Sequence, residues 1–248
     1  MVEPLRILVT GAGRGIGRAI ATKLLNDGHQ VALCARTLTD LESVVVGKDH
    51  GYLLIAADVL TPGVAESSIQ SLVAAWGGID VLILNAGDGV SAPLDKTTDE
   101  IWDQMIALNA TVPFKFMRAA LPVMKVQGHG NIIVIASKAG LEGGVNVSAY
   151  TAAKHAVVGL VRAAAVELSK YSITVNALCP DFVDTSMVQR SLEAASMRTG
   201  KSVAQTREAL ESKLIRGRLL TSNEVADAAI DFIGKSTTGV TQLLEGER

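Results

Sequence analysis

A tyrosine and a lysine stand four residues apart in the segment Ser-Ala-Tyr-Thr-Ala-Ala-Lys, which ends at Lys154. On a helix this spacing places Tyr150 and Lys154 on one face. A free tyrosine has a pKa of about 10, and a neighbouring ammonium would lower that pKa toward neutrality, where a phenol exchanges protons with a substrate oxygen. The pair therefore predicts an acid/base centre, although the same spacing is also common on solvent-exposed helix faces.

A serine that could assist this centre follows an apolar segment. Ser137 comes directly after the valine- and isoleucine-rich residues Asn131 to Ala136, which are typical of a buried strand. At the carboxyl edge of a parallel sheet, where ligands bind, its hydroxyl could polarise a carbonyl oxygen held by Tyr150. The alternative is a serine that merely caps the turn after the strand.

A glycine-rich turn at residues 10–17 stands between a predicted strand and a predicted helix. The residues that could contact a ligand there are Thr10, Gly11, Arg14, Gly15, Ile16 and Gly17. The unpaired N–H groups and partial positive charge of a helix N-terminus favour a pyrophosphate, and glycines allow the backbone to approach it. The spacing is GxxxGxG, not the general GxGxxG, and a tight turn without a ligand is the alternative.

The end of the second predicted strand distinguishes between nicotinamide cofactors. An Asp or Glu about 20 residues after the glycines would bind a ribose 2′-hydroxyl, but the strand ends in Leu-Cys-Ala-Arg36 without an acid. Arg36 could bind a 2′-phosphate through a forked hydrogen bond, with Arg14 approaching from the other side. Either arginine alone would be read as a solvated surface charge, but together they predict NADP(H).

Short apolar segments alternate with longer segments of helical spacing along the chain. The predicted strands are Leu5 to Thr10, Gln30 to Ala35, Tyr52 to Ala57, Ile79 to Leu84, Asn131 to Ala136 and Ile173 to Leu178. The predicted crossover helices cover 16–27, 62–76, 98–126 and 149–170. This alternation predicts an α/β fold, a Rossmann-like doubly wound parallel sheet with helices on both faces.

The composition favours a single domain, residues 1–248, that acts on a small molecule. The chain has 248 residues, 48% of them hydrophobic, and a net charge of -2, so neither nucleic acid nor a membrane is an expected partner. Cys34 and Cys179 are too few for a disulfide framework, which suits the cytoplasm. We expect no signal peptide, no membrane span and no metal site, because the four histidines lack ligand spacing.

Residues 184–217 interrupt the alternation of strands and helices. Their composition is helical in Met187 to Met197 and Val203 to Leu214, with glycines at 200 and 217. Such a segment is either a mobile lid over the substrate crevice or a structural helical insertion.

In its motifs the chain closely resembles the classical short-chain dehydrogenase/reductase family over nearly its whole length, and is similar to members of the 3-oxoacyl-[acyl-carrier-protein] reductase type. The resemblance rests on the glycine turn, Asp58 after the third strand, Asn85-Ala86-Gly87 after the fourth, and the set Asn109, Ser137, Tyr150 and Lys154, which matches the family's catalytic tetrad. Residues Asn176 to Met187 resemble the family's NAxxPGxxxT segment.

The resemblance implies roles for residues that the pattern alone leaves unassigned. Asp58 and the Val59 backbone would bind the adenine, and Asn85, Ala86 and Gly87 would line the adenosine. Asn109 would hold a water in a proton relay from Lys154. The loop that contains Pro180, Val183 and Thr185 would hold the nicotinamide carboxamide. The family often assembles through the helices that carry Asn109 and Tyr150, so a homodimer or homotetramer is expected.

Two positions depart from the family pattern. Asp181 stands where the family has a glycine after Pro180, and could alter the substrate entrance or be a surface loop residue. The chain ends in the charged pair Glu247-Arg248 instead of the usual glycine and tail.

Together these features predict an oxidoreductase that transfers a hydride between NADP(H) and a carbonyl or secondary alcohol, with Tyr150 as the acid/base. Medium acyl, cyclic, polyketide-like and polyol substrates are all allowed. The alternatives are a lyase or dehalogenase of the same fold, and an NADP-binding regulator without catalysis.

Overall fold

The computed structural model describes residues 3–245, in which strands and helices alternate as the sequence predicts. The strands are β1 (Arg6–Thr10), β2 (Gln30–Ala35), β3 (Tyr52–Ala56), β4 (Val81–Leu84), β5 (Gly130–Ile135), β6 (Ile173–Pro180) and β7 (Thr241–Leu244). The helices are α1 (Gly15–Asn26), α2 (Leu38–Glu42), α3 (Val64–Trp76), α4 (Asp99–Ile106), α5 (Val112–Gln127), α6 (Ser148–Leu168), α7 (Ser186–Thr199), α8 (Val203–Glu211) and α9 (Ser222–Ile230). A short π-helical turn (Ala107–Thr111) joins α4 to α5.

Within residues 3–245 the strands form one parallel sheet in the order β3-β2-β1-β4-β5-β6-β7. The chain winds outward from β1 in one direction and from β4 in the other. In such a sheet the direction reverses between β1 and β4, which opens a crevice beyond their carboxyl ends. The predicted α/β class and doubly wound parallel sheet are therefore confirmed.

Alternate side chains of the strands build a core on each face of the sheet. In β1, Leu8 packs into the core beneath α3, α5 and α6, whereas Ile7 and Val9 pack into the core beneath α1 and α9. All three side chains are fully buried. Burial on both faces explains why these strands read as continuous apolar segments and not as alternating ones.

The fourth strand begins two residues later than predicted. The sequence suggests a start at Ile79, but the first residue of β4 is Val81. The Gln127 side chain accepts a hydrogen bond from the Ile79 N–H at 3.0 Å and donates one to the Ile79 carbonyl at 2.8 Å. The Gln127 amide thus forms the two backbone hydrogen bonds of Ile79 that a neighbouring strand would form if β4 began at this residue.

The helix predicted over 98–126 contains the π-helical turn, which holds Asn109, between α4 and α5. Helices α2 and α9 were not predicted. Strand β7 pairs with β6 through Pro180 and Leu244, while the terminal pair Glu247-Arg248 lies outside the described residues. In the described part of the chain, no helix combines the length and apolarity needed to cross a membrane.

Candidate active site

The glycine turn after β1 is closely packed against the loop after β4. Gly11 and Gly15 have φ values of +68° and +54°, which favour glycine. A Cβ on Gly17 would lie 2.2 Å from the Gly11 carbonyl oxygen, and one on Gly11 would lie 2.8 Å from Asn85 Nδ2. Glycine at these positions therefore lets the first turn of α1 pack against Gly11, and lets Gly11 pack against the loop after β4.

Thr10 and Asn85 hold this turn through hydrogen bonds within the protein. The Thr10 hydroxyl accepts from the backbone N–H groups of Asn85 and Ala86 at 3.0 and 3.1 Å. The Asn85 amide donates to the carbonyls of Thr10 and Gly11 at 3.0 and 3.2 Å. These bonds fix the edges of β1 and β4 relative to each other.

A cavity of about 630 Å³ lies beyond the carboxyl ends of the central strands. Most of the predicted site residues line it: Gly11, Arg14, Gly15, Ile16, Arg36, Asp58, Val59, Asn85, Ala86, Gly87, Ser137, Tyr150, Lys154, Pro180, Val183 and Thr185. Thr10, Gly17 and Asn109 are buried behind its wall. Most predicted site residues can therefore touch a ligand in the cavity, whereas these three lie behind the residues that do.

The end of the cavity beside β2 and the glycine turn carries two cations. Arg14 is the residue before α1 and Arg36 follows β2, and both are exposed to solvent. Neither forms an ion pair with another residue of the range 3–245. The carboxylates at this end are Asp40 and Asp58, and one Asp58 oxygen accepts a hydrogen bond from the Leu60 N–H.

Tyr150, Ser137 and Lys154 lie together at the other end of the cavity. Lys154 Nζ lies 5.6 Å from the centroid of the Tyr150 ring and donates a hydrogen bond to the Ile135 carbonyl at 3.1 Å. The Ser137 hydroxyl accepts from the Ala139 N–H at 3.1 Å, so the capping role considered for this serine is real. It also forms a hydrogen bond with Tyr150 that acts on the tyrosine pKa.

The pKa values of this group differ from the sequence-based expectation. Burial raises the pKa of Tyr150, and the hydrogen bond with Ser137 partly offsets that rise. Burial lowers the pKa of Lys154 to about 8. The expected lowering of the Tyr150 pKa by Lys154 is therefore not observed, because burial disfavours the charged form of both side chains.

Asn109 lies in the π-helical turn, directly behind the loop after β4. Its Nδ2 donates to the carbonyls of Asp88 and Met105 at 3.0 and 3.1 Å. Its Oδ1 is buried and has no hydrogen-bond partner among the described residues. A Cβ on Gly87 would lie 2.9 Å from this oxygen and 3.6 Å from Lys154 Nζ. π-Helical turns occur frequently at functional sites, and here the turn presents an acceptor toward the lysine.

The loop after β6 approaches the glycine turn. A Cβ on Gly15 would lie 3.5 Å from Thr185 Cγ2, and the Thr185 hydroxyl donates to the Val183 carbonyl at 3.3 Å. Asp181 is not a surface loop residue. Its carboxylate is 12% exposed and lies 3.3 Å from Lys138 Nζ, so the residue that departs from the family pattern is paired with the cation beside Ser137.

The sequence interpretation missed an ion pair at the mouth of the cavity. Asp88 follows the loop Asn85 to Gly87, and its Oδ1 lies 2.6 Å from Arg190 Nη2 on α7. The position of Asp88 directly after the loop was the only available signal, since Arg190 is distant in sequence. Among residues 3–245, no group of three or more His, Cys, Asp or Glu side chains could hold a metal ion.

The sheet, the glycine turn and the Tyr150–Lys154 pair define an oxidoreductase of Rossmann-like fold. The chain belongs to the short chain dehydrogenase family, whose model matches residues 6–196. This confirms the family expected from the motifs, and with it the prediction of an enzyme.

Individual relatives cover almost the whole chain. The chain is 40% identical over 240 residues to a Streptomyces virginiae protein named as the ketoacyl reductase of the monensin polyketide synthase, covering 93% of this chain and 90% of the relative. It is 34% identical to a D-beta-hydroxybutyrate dehydrogenase of Cupriavidus necator, with 93% and 91% covered. A crystal structure of an actinorhodin polyketide ketoreductase variant with NADPH superimposes with a TM-score of 0.93 at 31% identity, covering 98% of this chain and 96% of that one.

Proposed function

We propose that this chain is an NADP(H)-dependent oxidoreductase that interconverts a ketone and a secondary alcohol. The observation that carries the proposal is a single cavity with Tyr150, Ser137 and Lys154 at one end and the glycine turn with two arginines at the other. The similarity to a ketoreductase crystallised with NADPH supports the same assignment.

The residues present fit an NADP(H) molecule. At Gly11 and Gly17 a Cβ would collide with neighbouring atoms, so only glycine permits the close turn at the start of α1 that could accept a pyrophosphate. Arg14 and Arg36 would hold the 2′-phosphate, because both guanidinium groups line the same end of the cavity. Asp58, Val59 and the loop Asn85 to Gly87 would bind the adenosine.

When bound, NADPH supplies the hydride and NADP accepts it in the reverse direction. Ser137 orients the substrate oxygen, and the Tyr150 hydroxyl donates a proton to that oxygen as it gains negative charge. A raised pKa keeps Tyr150 protonated near neutrality, which suits an acid and therefore reduction. Pro180, Val183 and Thr185 would hold the nicotinamide side of the cofactor.

Lys154 and Asn109 would return the proton to Tyr150. The buried ammonium has a pKa of about 8, so it can release and recover a proton near neutrality. Asn109 Oδ1, which has no partner among the described residues, faces the same side of the loop as Lys154 Nζ, and a water between them would satisfy both groups.

The substrate half of the cavity favours an apolar ketone over a polyol. Its lining includes Val90, Val147, Met187, Leu210, Leu214 and Ile215. Two carboxylates nearby are paired, Asp88 with Arg190 and Asp181 with Lys138, while Lys213 also lines the cavity and has no ion pair among residues 3–245. We expect 1-tetralone to be reduced with a kcat/KM at least about tenfold above that of a keto sugar, because the hydroxyl groups of the sugar would lose hydration against this apolar lining.

Residues 184–217, which hold α7 and α8, would act as the lid predicted from the sequence. Their side chains Met187, Leu210 and Leu214 face the cavity, and α7 is fastened to the opposite wall through Arg190. Closure of such a segment would exclude water from the reacting oxygen.

A homodimer or homotetramer formed through α5 and α6 is part of the proposal. Phe114 on α5 is 44% exposed and Val166 on α6 is 81% exposed, so both helices offer apolar side chains to a second copy. Light scattering should give a mass at least twice 25.9 kDa. A cytoplasmic location is supported by the free thiols of Cys34 and Cys179.

Turnover of a ketone panel with NADPH tests the function, with Tyr150→Phe as the decisive variant. We expect a loss of about 10²–10⁴-fold in kcat with unchanged NADPH binding, and Tyr171→Phe as the matched control should keep full activity. NADPH binding without turnover of any ketone or alcohol would instead favour a regulator, and substrate consumption without NADPH oxidation would favour a lyase or dehalogenase.

The cofactor preference is tested separately with Arg36→Asp. A carboxylate there would repel the 2′-phosphate and accept a ribose hydroxyl, so the ratio of kcat/KM for NADPH to that for NADH should fall about 100-fold. Arg18→Ala removes an exposed arginine that instead donates to Ser43, and should leave the ratio unchanged. An unaltered ratio in Arg36→Asp would refute the NADP(H) assignment.

A further inference from the structure

The ion pair between Asp88 and Arg190 joins the lid to the wall that carries the catalytic groups. Besides Arg190 at 2.6 Å, Asp88 Oδ1 accepts a hydrogen bond from the Gly89 N–H at 2.9 Å. A second contact, from Arg198 Nη2 to the Ser91 hydroxyl at 3.4 Å, fastens the far end of α7 to the same loop. Helix α7 is thus attached to residues 88–91 at both ends.

The same aspartate touches the proton-transfer residues on its other side. Its carbonyl accepts a hydrogen bond from Asn109 Nδ2 at 3.0 Å. The neighbouring Gly89 lies between the lid and the acid, because a Cβ there would be 3.5 Å from Tyr150 Cδ2 and 3.6 Å from Met187 Sδ. One short loop therefore contacts α7, Tyr150 and Asn109 together.

We propose that Asp88 and Arg190 are positioning residues that couple closure of α7 to proton transfer by Tyr150. The proposal rests on the proposed function, in which Tyr150 is the acid. With α7 closed, the Arg190 guanidinium balances the Asp88 carboxylate. With α7 open, the carboxylate faces Tyr150 without its counterion and disfavours loss of the phenol proton.

The charges around Tyr150 are consistent with this coupling. Burial is the main cause that raises its pKa, and the Asp88 carboxylate and Cys179 add to the rise. The Cys179 thiol is itself buried with a raised pKa, so it is neutral near pH 7. Lys154 on the same helix has a pKa of about 8. Of the two groups on other elements that raise the Tyr150 pKa, Asp88 is therefore the one that is paired with a residue of the lid.

The coupling predicts opposite effects for the two partners of one ion pair. Reduction requires protonated Tyr150, so kcat falls as the pH rises through its pKa, in a limb above any limb near pH 8 that belongs to Lys154. Arg190→Ala leaves the Asp88 carboxylate unbalanced and should move this alkaline limb upward by about half a pH unit. Asp88→Asn leaves the Arg190 cation unbalanced and should move it downward by a similar amount. The double variant should return close to the wild-type position, and Arg190→Lys should restore it.

Arg198→Ala is the matched control, since it removes a lid cation and a lid contact without touching Asp88. Its alkaline limb should not move. A purely structural ion pair would lower kcat in both single variants without opposite shifts, and that result would overturn the proposal.

A second measurement separates this inference from the proposed function. Ultraviolet titration of the tyrosinate, corrected with Tyr150→Phe, follows the Tyr150 phenol without any substrate. Opposite shifts there would support the coupling even if no ketone were reduced. Ketone reduction by the wild type together with identical Tyr150 titrations in Arg190→Ala and Asp88→Asn would refute the coupling and leave the proposed function intact.

Discussion

Lys154 is a cation held in a buried position, and its burial has a cost in stability. The side chain is 5% exposed, and its ammonium donates one hydrogen bond to a described residue, the Ile135 carbonyl. Burial lowers its pKa from 10.5 to about 8. An apolar side chain of similar length would pack there without the desolvation penalty, so the proposed role in proton transfer gives a reason for a lysine at this position.

Replacement of this lysine should therefore raise stability and abolish activity. Below pH 8 the lysine is charged in the folded and unfolded states, so at pH 7 Lys154→Met should unfold with a free energy about 1–3 kcal/mol higher than wild type. From pH 8 to 10.5 the unfolded chain binds more protons than the folded one. The difference in unfolding free energy between Lys154→Met and the wild type should therefore shrink as the pH rises through this range. Urea unfolding at several pH values measures both effects. A Lys154→Met protein less stable than wild type at pH 7 would contradict the assignment of a buried, penalised charge.

Three strand ends meet at Lys138, directly after Ser137. Its Nζ lies 3.3 Å from Asp181 Oδ2, 3.4 Å from Glu142 Oε1 and 2.5 Å from Glu245 Oε1. These contacts join the end of β5 to the loop after β6 and to the end of β7. The pKa of Lys138 is raised, and the largest cause is the hydrogen bond that its ammonium donates to Glu245. The aspartate that departs from the family pattern is thus part of a charge cluster that positions the loop beside the active site.

We expect Lys138→Met to destabilise this corner because three carboxylates lose their common counterion. The pairs are partly exposed and screened, so the loss in unfolding free energy should be about 1–2 kcal/mol and should shrink at high salt. Adding Asp181→Asn to Lys138→Met should recover part of the lost unfolding free energy, because it removes one of the unpaired carboxylates. Lys235→Met, which removes an exposed pair with Asp231, serves as the control and should cost less than about 0.5 kcal/mol. Equal losses in the two lysine variants would show that the cluster has no special role.

The carboxyl ends and the amino ends of the strands carry different groups of polar side chains. The carboxyl edge carries the cavity, whereas the amino edge carries a buried cluster around Asp80, which is 9% exposed. Arg6 donates to Asp80 from its backbone N–H, Nε and Nη2 at 2.8, 2.9 and 2.7 Å, and His129 Nε2 lies 2.9 Å from the same carboxylate. Arg6 begins β1, while Asp80 and His129 directly precede β4 and β5, so the cluster joins the starts of three central strands.

This cluster should make the stability of the fold depend on pH in the acid range. Burial opposes ionisation of Asp80, but the hydrogen bonds from Arg6 and His129 outweigh it and lower its pKa from 3.8 to about 2. The stabilisation is present above pH 3.8 and is lost as the pH falls toward 2, with a size of about 1–2 kcal/mol. Asp80→Asn should be less stable at pH 7 and should depend less on pH in that window. Asp27→Asn, at an exposed residue with no ion pair among residues 3–245, is the control. An unchanged pH dependence in Asp80→Asn would disprove the role of the cluster.

Much of the architecture followed from local patterns in the sequence. Apolar segments of strand length, helical spacing and glycine positions each depend on neighbouring residues, so they predicted strands β1 to β6, the crossover helices and the turn at Gly11. The spacing of Tyr150 and Lys154 on α6 is equally local. The location of Ser137 beside the cavity followed from its position after a strand, because all parallel strands end at one edge.

Features that depend on distant residues were decided by the tertiary structure alone. The pairing of Asp88 with Arg190, the charge cluster at Lys138 and the late start of β4 each need side chains from separate elements to meet. The direction of the Tyr150 pKa was decided in the same way. The sequence predicted a lowering from a neighbouring ammonium, but the folded chain buries both groups, and desolvation is the largest cause of the pKa shift of each. Tyr150 and Lys154 were therefore identified by their sequence spacing, whereas their protonation is set by how deeply the fold encloses them.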